Sequence, residues 1–207
     1  MPSSPIALAR IVRRSRHAPS PRVKFLGEFF RHPGMIGSVV PSSRQLVDRM
    51  LAPIDWAGVR TFVEYGPGVG PFCRPILDRL NRDATYIAID TSPDFVSYLR
   101  RTVADPRFHA VQGSAVDVAS ILASHGLETA DHVLSGIPFS TLPAGVGERI
   151  VEETYSILRP GGAFLAYQTS SHVRRLLDPA FPRIESAMAW WNLPPARLYW
   201  AWKASRA

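Results

Sequence analysis

The chain has 207 residues, 46% of them hydrophobic, and a formal net charge of +7. With a mean hydropathy of -0.01, this is enough apolar material for one globular domain and its core, and it excludes a disordered or fibrous chain. No run reaches the roughly 18 apolar residues of a membrane span. A single cysteine, Cys73, excludes an intrachain disulfide, and no Cys/His cluster has zinc spacing, so no metal is expected.

The charge sits at one end. Arg10, Arg13, Arg14, Arg16, Arg22, Lys24 and Arg31 oppose only Glu28 within residues 1–32, so nearly the whole net charge belongs to that segment. Ile6, Leu8, Ile11 and Val12 interleave with the arginines, and beyond Pro19 and Pro21 the side chains of Phe25, Leu26, Phe29 and Phe30 share a helical face. A basic, partly amphipathic extension suits an anionic membrane surface, where each Lys or Arg contributes about 1 kcal/mol. A solubilising tail, a core-packed helix and a transit peptide are the competing readings, the prolines counting against the last. Residues 33–207 then form the folded domain. Cysteine usage and the absence of a secretory pattern point to a reducing, cytoplasmic compartment.

Gly34 and Gly37 allow a turn into Val39-Val40-Pro41, and Ser42-x-x-Gln45 forms a capping-box pattern before a helix that turns Leu46, Val47, Met50 and Leu51 inward. Val59 to Val63 reads as a buried parallel strand running into Glu64-x-Gly66-x-Gly68-x-Gly70, followed by a helix around Arg74 to Leu80. Strand, glycine turn and helix bring backbone close to a ligand. A dinucleotide fingerprint needs glycine where Pro71 stands, and no phosphate-cradling G-x-x-x-x-G-K-[ST] occurs. An acidic strand end suits a positively charged cofactor, S-adenosylmethionine, although an ordinary Gly/Pro turn gives the same glycines.

Thr85 to Asp90 is a second buried strand whose terminal carboxylate, next to Thr91, is placed to accept ribose hydroxyls; Asp90 also suits a helix cap ahead of Pro93. The following helix, Asp94 to Val103, buries Phe95, Val96 and Leu99. Strands at Arg107 to Gln112 and Asp131 to Ser135 end in Gly113-Ser114-Ala115 and Gly136-Ile137-Pro138-Phe139, and Asp117 suits a cap for the helix between them. Leu158-Arg159-Pro160-Gly161-Gly162 reads as a turn into a strand from Ala163 to Gln168. A helix with His172, Arg174 and Arg175 follows, then two aromatic-rich strands through Trp190-Trp191 and Leu198 to Trp202, joined by Asn192-Leu193-Pro194-Pro195. Alternation places Trp200 and Trp202 on one face and Tyr199 on the other, with most rings in the core.

Over about residues 36–203, this order of strand ends resembles the class I S-adenosylmethionine-dependent methyltransferases, carried by the complete E-x-G-x-G-x-G and by Leu158 to Gly162. Gly37 to Ser43, Ser135 to Pro138 and Asn192 to Ala196 further resemble the bacterial phospholipid N-methyltransferases. The resemblance implies a doubly wound, seven-stranded, mostly parallel sheet with an antiparallel last strand. It implies a cofactor site of Ser38, Ser42, Glu64, Gly66, Gly68, Gly70, Asp90, Thr91, Gly113, Ser114, Ala115 and Ser135. Its substrate would be the amine of phosphatidylethanolamine and its methylated forms, giving phosphatidylcholine at the inner face of the cell membrane.

Catalysis would rest on Ser135, Gly136 and Tyr167: backbone carbonyls at Ser135-Gly136 orienting the amine, Phe139 facing developing positive charge, and Tyr167 facing the same cleft, with a small strand-end residue at Ser135 and core packing of Tyr167 as the competing readings. His172, Arg174, Arg175 and Arg197 are candidates for a lipid phosphate. Nucleic-acid amino methyltransferases read Asn/Asp-Pro-Pro-aromatic at this strand end; Ser135-Gly136 departs from that, and no nucleic-acid partner is expected. An adenine N6-methyltransferase of RNA or DNA, and a catalytically silent membrane-binding protein with the same fold, are the alternatives.

Overall fold

A computed structural model describes residues 40–190, 192 and 194–205, with side chains from Arg44 onward. The extension expected at 1–32, Ser38, Trp191 and Leu193 lie outside the described residues. The strands are β1 (Thr61–Tyr65), β2 (Thr85–Asp90), β3 (Phe108–Gln112), β4 (Ala130–Ser135), β5 (Leu158–Gln168), β6 (Arg183–Ala189) and β7 (Ala196–Trp202). The helices are α1 (Val40–Leu51), α2 (Cys73–Leu77), α3 (Pro93–Thr102), α4 (Val118–Ser124), α5 (Val146–Ile157) and α6 (His172–Leu177).

The strands form one sheet in the order β3-β2-β1-β4-β5-β7-β6. β1 to β5 pair in parallel, and β7 runs antiparallel to both of its neighbours. This is the class I methyltransferase sheet expected from the sequence. It reverses direction of winding at β1 and β4, and ligands of such sheets bind where the strand ends diverge.

Period-two alternation divides the core into two layers. Phe62, Tyr86, Ala88, Leu134, Leu165 and Trp200 pack with α1, α2 and α3, whereas Val63, Tyr65, Ile87, Ile89, Phe164 and Tyr199 pack with α4, α5 and α6. Trp200 and Tyr199 therefore fall on opposite faces, as the alternation requires. α3 shows how local chemistry sets an element's start. Ser92 accepts the Phe95 N–H at 3.4 Å, Pro93 occupies the first turn and Asp94 faces the helix N-terminus.

Three boundaries differ from the sequence expectation. β1 begins at Thr61 because Val59 closes a 3-10 turn, Trp56–Gly58, capped by Asp55; Glu64 is consequently inside the strand rather than beyond it. The turn expected at Leu158 to Gly162 is the first part of β5. Pairing jumps from Ala130↔Leu158 to His132↔Ala163, so the extra residues are absorbed as a bulge in which Gly161 takes φ 75. The cap of the helix region after β3 is Ser114, accepting the Val116 N–H at 3.3 Å, while Asp117 makes no side-chain cap bond.

The lower end of the sheet is tied by Asp131. Its Oδ2 accepts the N–H groups of Arg60 and Thr61, each at 2.7 Å, and its Oδ1 accepts from Arg159 Nε. These bonds hold the starts of β1 and β4 together, and so fix the relative height of their far ends.

Candidate active site

Alternation sends Glu64 to the side of Phe62, into the layer beneath α2, where it is 0% exposed. Tyr86 donates its hydroxyl to Glu64 Oε2 and also lies 3.7 Å from Cys73 Sγ. Glu64 Oε1 is buried without a hydrogen-bond partner. Burial raises the carboxyl pKa from 4.5 to about 7, against the lowering by Tyr86, and Asp90 adds repulsion. A buried carboxylate oxygen without a donor is costly. A ligand ammonium would supply the missing donor and the compensating charge. Cys73 is buried in the same layer, and burial pushes its thiol pKa up, which suits packing rather than nucleophilic chemistry.

The three glycines after Glu64 all take positive φ: 63 at Gly66, 56 at Gly68 and 77 at Gly70. At Gly70 a Cβ would also stand 2.8 Å from Cys73 Sγ and from Leu99 Cδ2, so space as well as conformation demands glycine there. Asp90, 9% exposed, organises the neighbouring turns. Its Oδ1 accepts the Ser92 N–H at 2.8 Å, its Oδ2 accepts the Gly68 N–H at 3.3 Å, and its carbonyl accepts the Gly113 N–H at 3.0 Å. Burial raises its pKa, and the N–H bonds from Ser92, Gly68 and Thr91 oppose that shift. One residue thus links the glycine turn, the start of α3 and the Gly113-Ser114-Ala115 turn.

The end of β4 meets this arrangement from the other side. Ser135 is fully buried, and its Oγ accepts the Ile137 N–H at 3.2 Å. Gly136 donates to the Tyr65 carbonyl at 2.9 Å. A Cβ on Gly136 would lie 2.4 Å from Tyr167 Oη and 3.0 Å from the Gly66 carbonyl oxygen; one on Gly66 would lie 3.3 Å from Ile137 Cγ1. The ends of β1, β4 and β5 therefore converge on Gly136. Tyr167 is half-buried, with its ring 5.2 Å from that of Phe72, and burial reinforced by the Glu64 charge pushes its phenol pKa up. Its hydroxyl keeps its proton at neutral pH.

One residue of this region escaped the sequence reading. Gln168 Nε2 donates to the Ile137 carbonyl at 2.7 Å, and its Oε1 accepts the Phe139 N–H at 3.2 Å. The two bonds hold the Gly136 to Phe139 loop by its backbone. Gln168→Leu, which removes both, is expected to lower kcat about tenfold while changing cofactor affinity less than twofold, as read by steady-state kinetics and calorimetry. Phe139, expected to face developing positive charge, is 2% exposed and stands edge-on to Phe164 in the core.

The structure brings Glu64, Gly66, Gly68, Gly70, Asp90, Thr91, Gly113, Ser114, Ala115, Ser135, Gly136 and Tyr167 to one end of the sheet. α1 starts at Val40, so Ser42 lies in its first turn rather than ahead of it as a cap. Of the phosphate candidates, Arg174 bonds Asp178 at 2.6 Å, while His172, Arg175 and Arg197 are exposed. A separate concavity of about 140 Å³ is lined by residues including Gly70, Arg74, Leu77 and Val103; it contains neither Glu64 nor Asp90.

Comparison with known proteins agrees with this geometry. The family described as a methyltransferase domain matches residues 62–162. An ornithine lipid N-methyltransferase of Singulisphaera acidiphila is 34% identical over 177 residues, covering 84% of this chain and 92% of the relative. Among solved structures, the N-methyltransferase NodS from Bradyrhizobium japonicum aligns with a TM-score of 0.67 at 14% identity, over 80% of this chain and 98% of its own. Its complex with S-adenosyl-L-homocysteine aligns with a TM-score of 0.62 at 14% identity, over 78% of this chain and 85% of its own. These structural likenesses speak to the fold.

Proposed function

Because the chain belongs to the S-adenosylmethionine-dependent methyltransferases, we propose that it methylates the primary amine of a membrane lipid. The observation that carries this reading is the identity along nearly the full length of a lipid N-methyltransferase. Phosphatidylethanolamine is the headgroup implied by the resemblance to bacterial phospholipid N-methyltransferases, and the relative's name adds ornithine lipid. Both present an alkyl amine tethered to a bilayer.

Bound S-adenosylmethionine supplies a methyl group activated by its sulfonium charge. In this assignment Glu64 Oε1 receives the ammonium and Asp90 the ribose hydroxyls through lone pairs left by Gly68 and Ser92. The turn Gly66 to Gly70 admits close backbone approach, Gly113 to Ala115 are assigned to the adenine, and Ser38 and Ser42 are assigned to the carboxylate as the sequence resemblance implies. The acceptor is an alkyl ammonium with a pKa of about 10, which must lose a proton to solvent before its nitrogen can attack. Backbone carbonyls at Ser135 and Gly136 orient that nitrogen, and the protonated Tyr167 hydroxyl beside Gly136 bounds its position. A lipid amine needs no edge-reading side chain, which agrees with a strand end lacking the amide or carboxylate used on nucleobases.

Substrate of this kind requires the enzyme at a bilayer. Among the described residues no helix is long and apolar enough to cross one. Contact is assigned to the basic segment 1–32, and the location to the inner face of the cell membrane.

The test is incubation of the purified chain with methyl-labelled S-adenosylmethionine and vesicles containing phosphatidylethanolamine, vesicles containing ornithine lipid, or total RNA. Label in either lipid, and none in RNA, is the expected result. Label in RNA alone would replace the proposal with an adenine methyltransferase, and cofactor binding without product would identify a silent membrane-binding protein.

A further inference from the structure

We propose that the tip of the β6–β7 hairpin is a membrane anchor that seats the active-site end of the sheet on an anionic bilayer, with Trp190 at headgroup depth. This rests on the lipid-substrate reading. The hairpin is placed by register: Gln168 of β5 pairs with Arg197 of β7, which pairs with Met188 of β6. Gln168 is the residue that holds the Ile137 to Phe139 loop. Because β7 is antiparallel, β6 ends at Ala189 and β7 begins at Ala196 at this same end of the sheet. Trp190 stands two residues beyond Met188, roughly 7 Å further along the strand direction.

The tip has the chemistry of an interfacial anchor. Trp190 is 69% exposed, the most exposed large hydrophobic side chain among the described residues, whereas Tyr199 and Trp200 on the same hairpin are buried. Tryptophan is suited to headgroup depth, with an apolar ring system and one N–H donor. Ser186 to Ala196 contains no charged residue, and no acidic residue follows Glu185 anywhere in the sequence. The flanking charges are cationic: Arg197 is exposed, and Arg49 of α1 donates to the Met188 carbonyl at 3.0 Å. An uncharged aromatic tip flanked by arginines complements an anionic lipid surface.

The hairpin is also tied to α1. Trp200 Nε1 donates to the Met50 carbonyl at 2.9 Å, so α1 grips the hairpin through both Arg49 and Met50. Asn192 closes the turn, its backbone N–H donating to the Ala189 carbonyl at 3.2 Å and its Nδ2 to the Pro194 carbonyl at 3.1 Å.

The experiment uses the full chain with phosphatidylglycerol vesicles carrying brominated acyl chains, which quench tryptophan on contact. Trp190→Phe is expected to reduce the quenched fraction at least twofold, Trp190→Ala to weaken vesicle affinity about tenfold, and Trp56→Phe to change neither. On a dispersed short-chain lipid amine, Trp190→Ala is expected to keep the native kcat. Quenching in Trp190→Phe equal to that of the native chain overturns the anchor. So does a tip that instead drives self-association, seen as a Trp190→Ala chain that loses concentration-dependent oligomers but binds vesicles as before. Failure of the native chain to methylate any lipid, vesicular or dispersed, would instead remove the lipid-substrate reading, which makes the two failures distinct.

Discussion

Glu64→Gln is expected to weaken S-adenosylmethionine binding by on the order of 100-fold, about 3 kcal/mol, because it deletes the charge proposed to receive the ligand ammonium while keeping the side-chain shape. Calorimetry on the purified chain reads this directly. The pH dependence carries a second signature. Burial raises the Glu64 pKa to about 7, so in the ligand-free protein the group is largely protonated between pH 5 and 7. Binding a cation requires the carboxylate, so affinity should rise with pH across that window, by up to tenfold per unit, and level off above about 7. Stability of the ligand-free protein should move the other way. A folded-state pKa above the unfolded value of 4.5 contributes stability that is fully present below 4.5 and is lost as pH rises through about 7. Both trends are read as differences between the native chain and Glu64→Gln, which cancels the other titrating groups. Equal pH slopes in the two proteins would remove Glu64 from the cofactor site.

Gly136→Ala is expected to lower kcat about 100-fold with a much smaller change in cofactor affinity. The new Cβ would occupy a point 2.4 Å from Tyr167 Oη and 3.0 Å from the Gly66 carbonyl oxygen. The tyrosine hydroxyl is the end of a side chain and can yield, whereas the Gly66 carbonyl belongs to the glycine turn and cannot move without shifting it. A displacement of a few tenths of an ångström at this junction misaligns donor and acceptor, and in-line transfer is sensitive to that alignment. Tyr167→Phe in the Gly136→Ala background removes the closest clash and should recover part of the rate. No recovery, together with an unchanged melting temperature, would place the defect outside the Gly136–Tyr167 contact. Native kcat in Gly136→Ala would show that the acceptor does not approach this strand end.

The parts of the fold visible in the sequence are those with local signatures. Four apolar runs, each ending in small or acidic residues, announced β1 to β4, and strict alternation in Tyr199 to Trp202 announced which rings share a face. Boundaries were less legible where another interaction competes for the same residues. Val59 looks like a strand residue but closes the turn capped by Asp55, and Leu158 to Gly162 look like a turn but pair with β4 through a bulge. Trp190 reads as a strand residue beside Trp191, yet β6 ends at Ala189 and leaves its ring in solvent.

The candidate site residues follow the same division. Glu64 and Asp90 could be singled out because a carboxylate at the end of an apolar strand is unusual by itself. Gln168 could not, since one amide at a strand end has no periodicity, and its partners Ile137 and Phe139 are contacts of the folded chain. Phe139 illustrates the converse: an aromatic beside a strand end looks available to a cation, and only packing against Phe164 shows its ring to be part of the core. The orphaned Glu64 Oε1 is likewise a property of three-dimensional burial.

Whether Glu64 and Asp90 hold opposite parts of one nucleoside cofactor can be read from a crystal structure of the chain with S-adenosyl-L-homocysteine. The ligand ammonium is expected within hydrogen-bond distance of Glu64 Oε1, the ribose hydroxyls on Asp90, and the sulfur facing Gly136. Ligand density elsewhere, or a bound nucleoside that leaves Glu64 Oε1 without a partner, would contradict that placement.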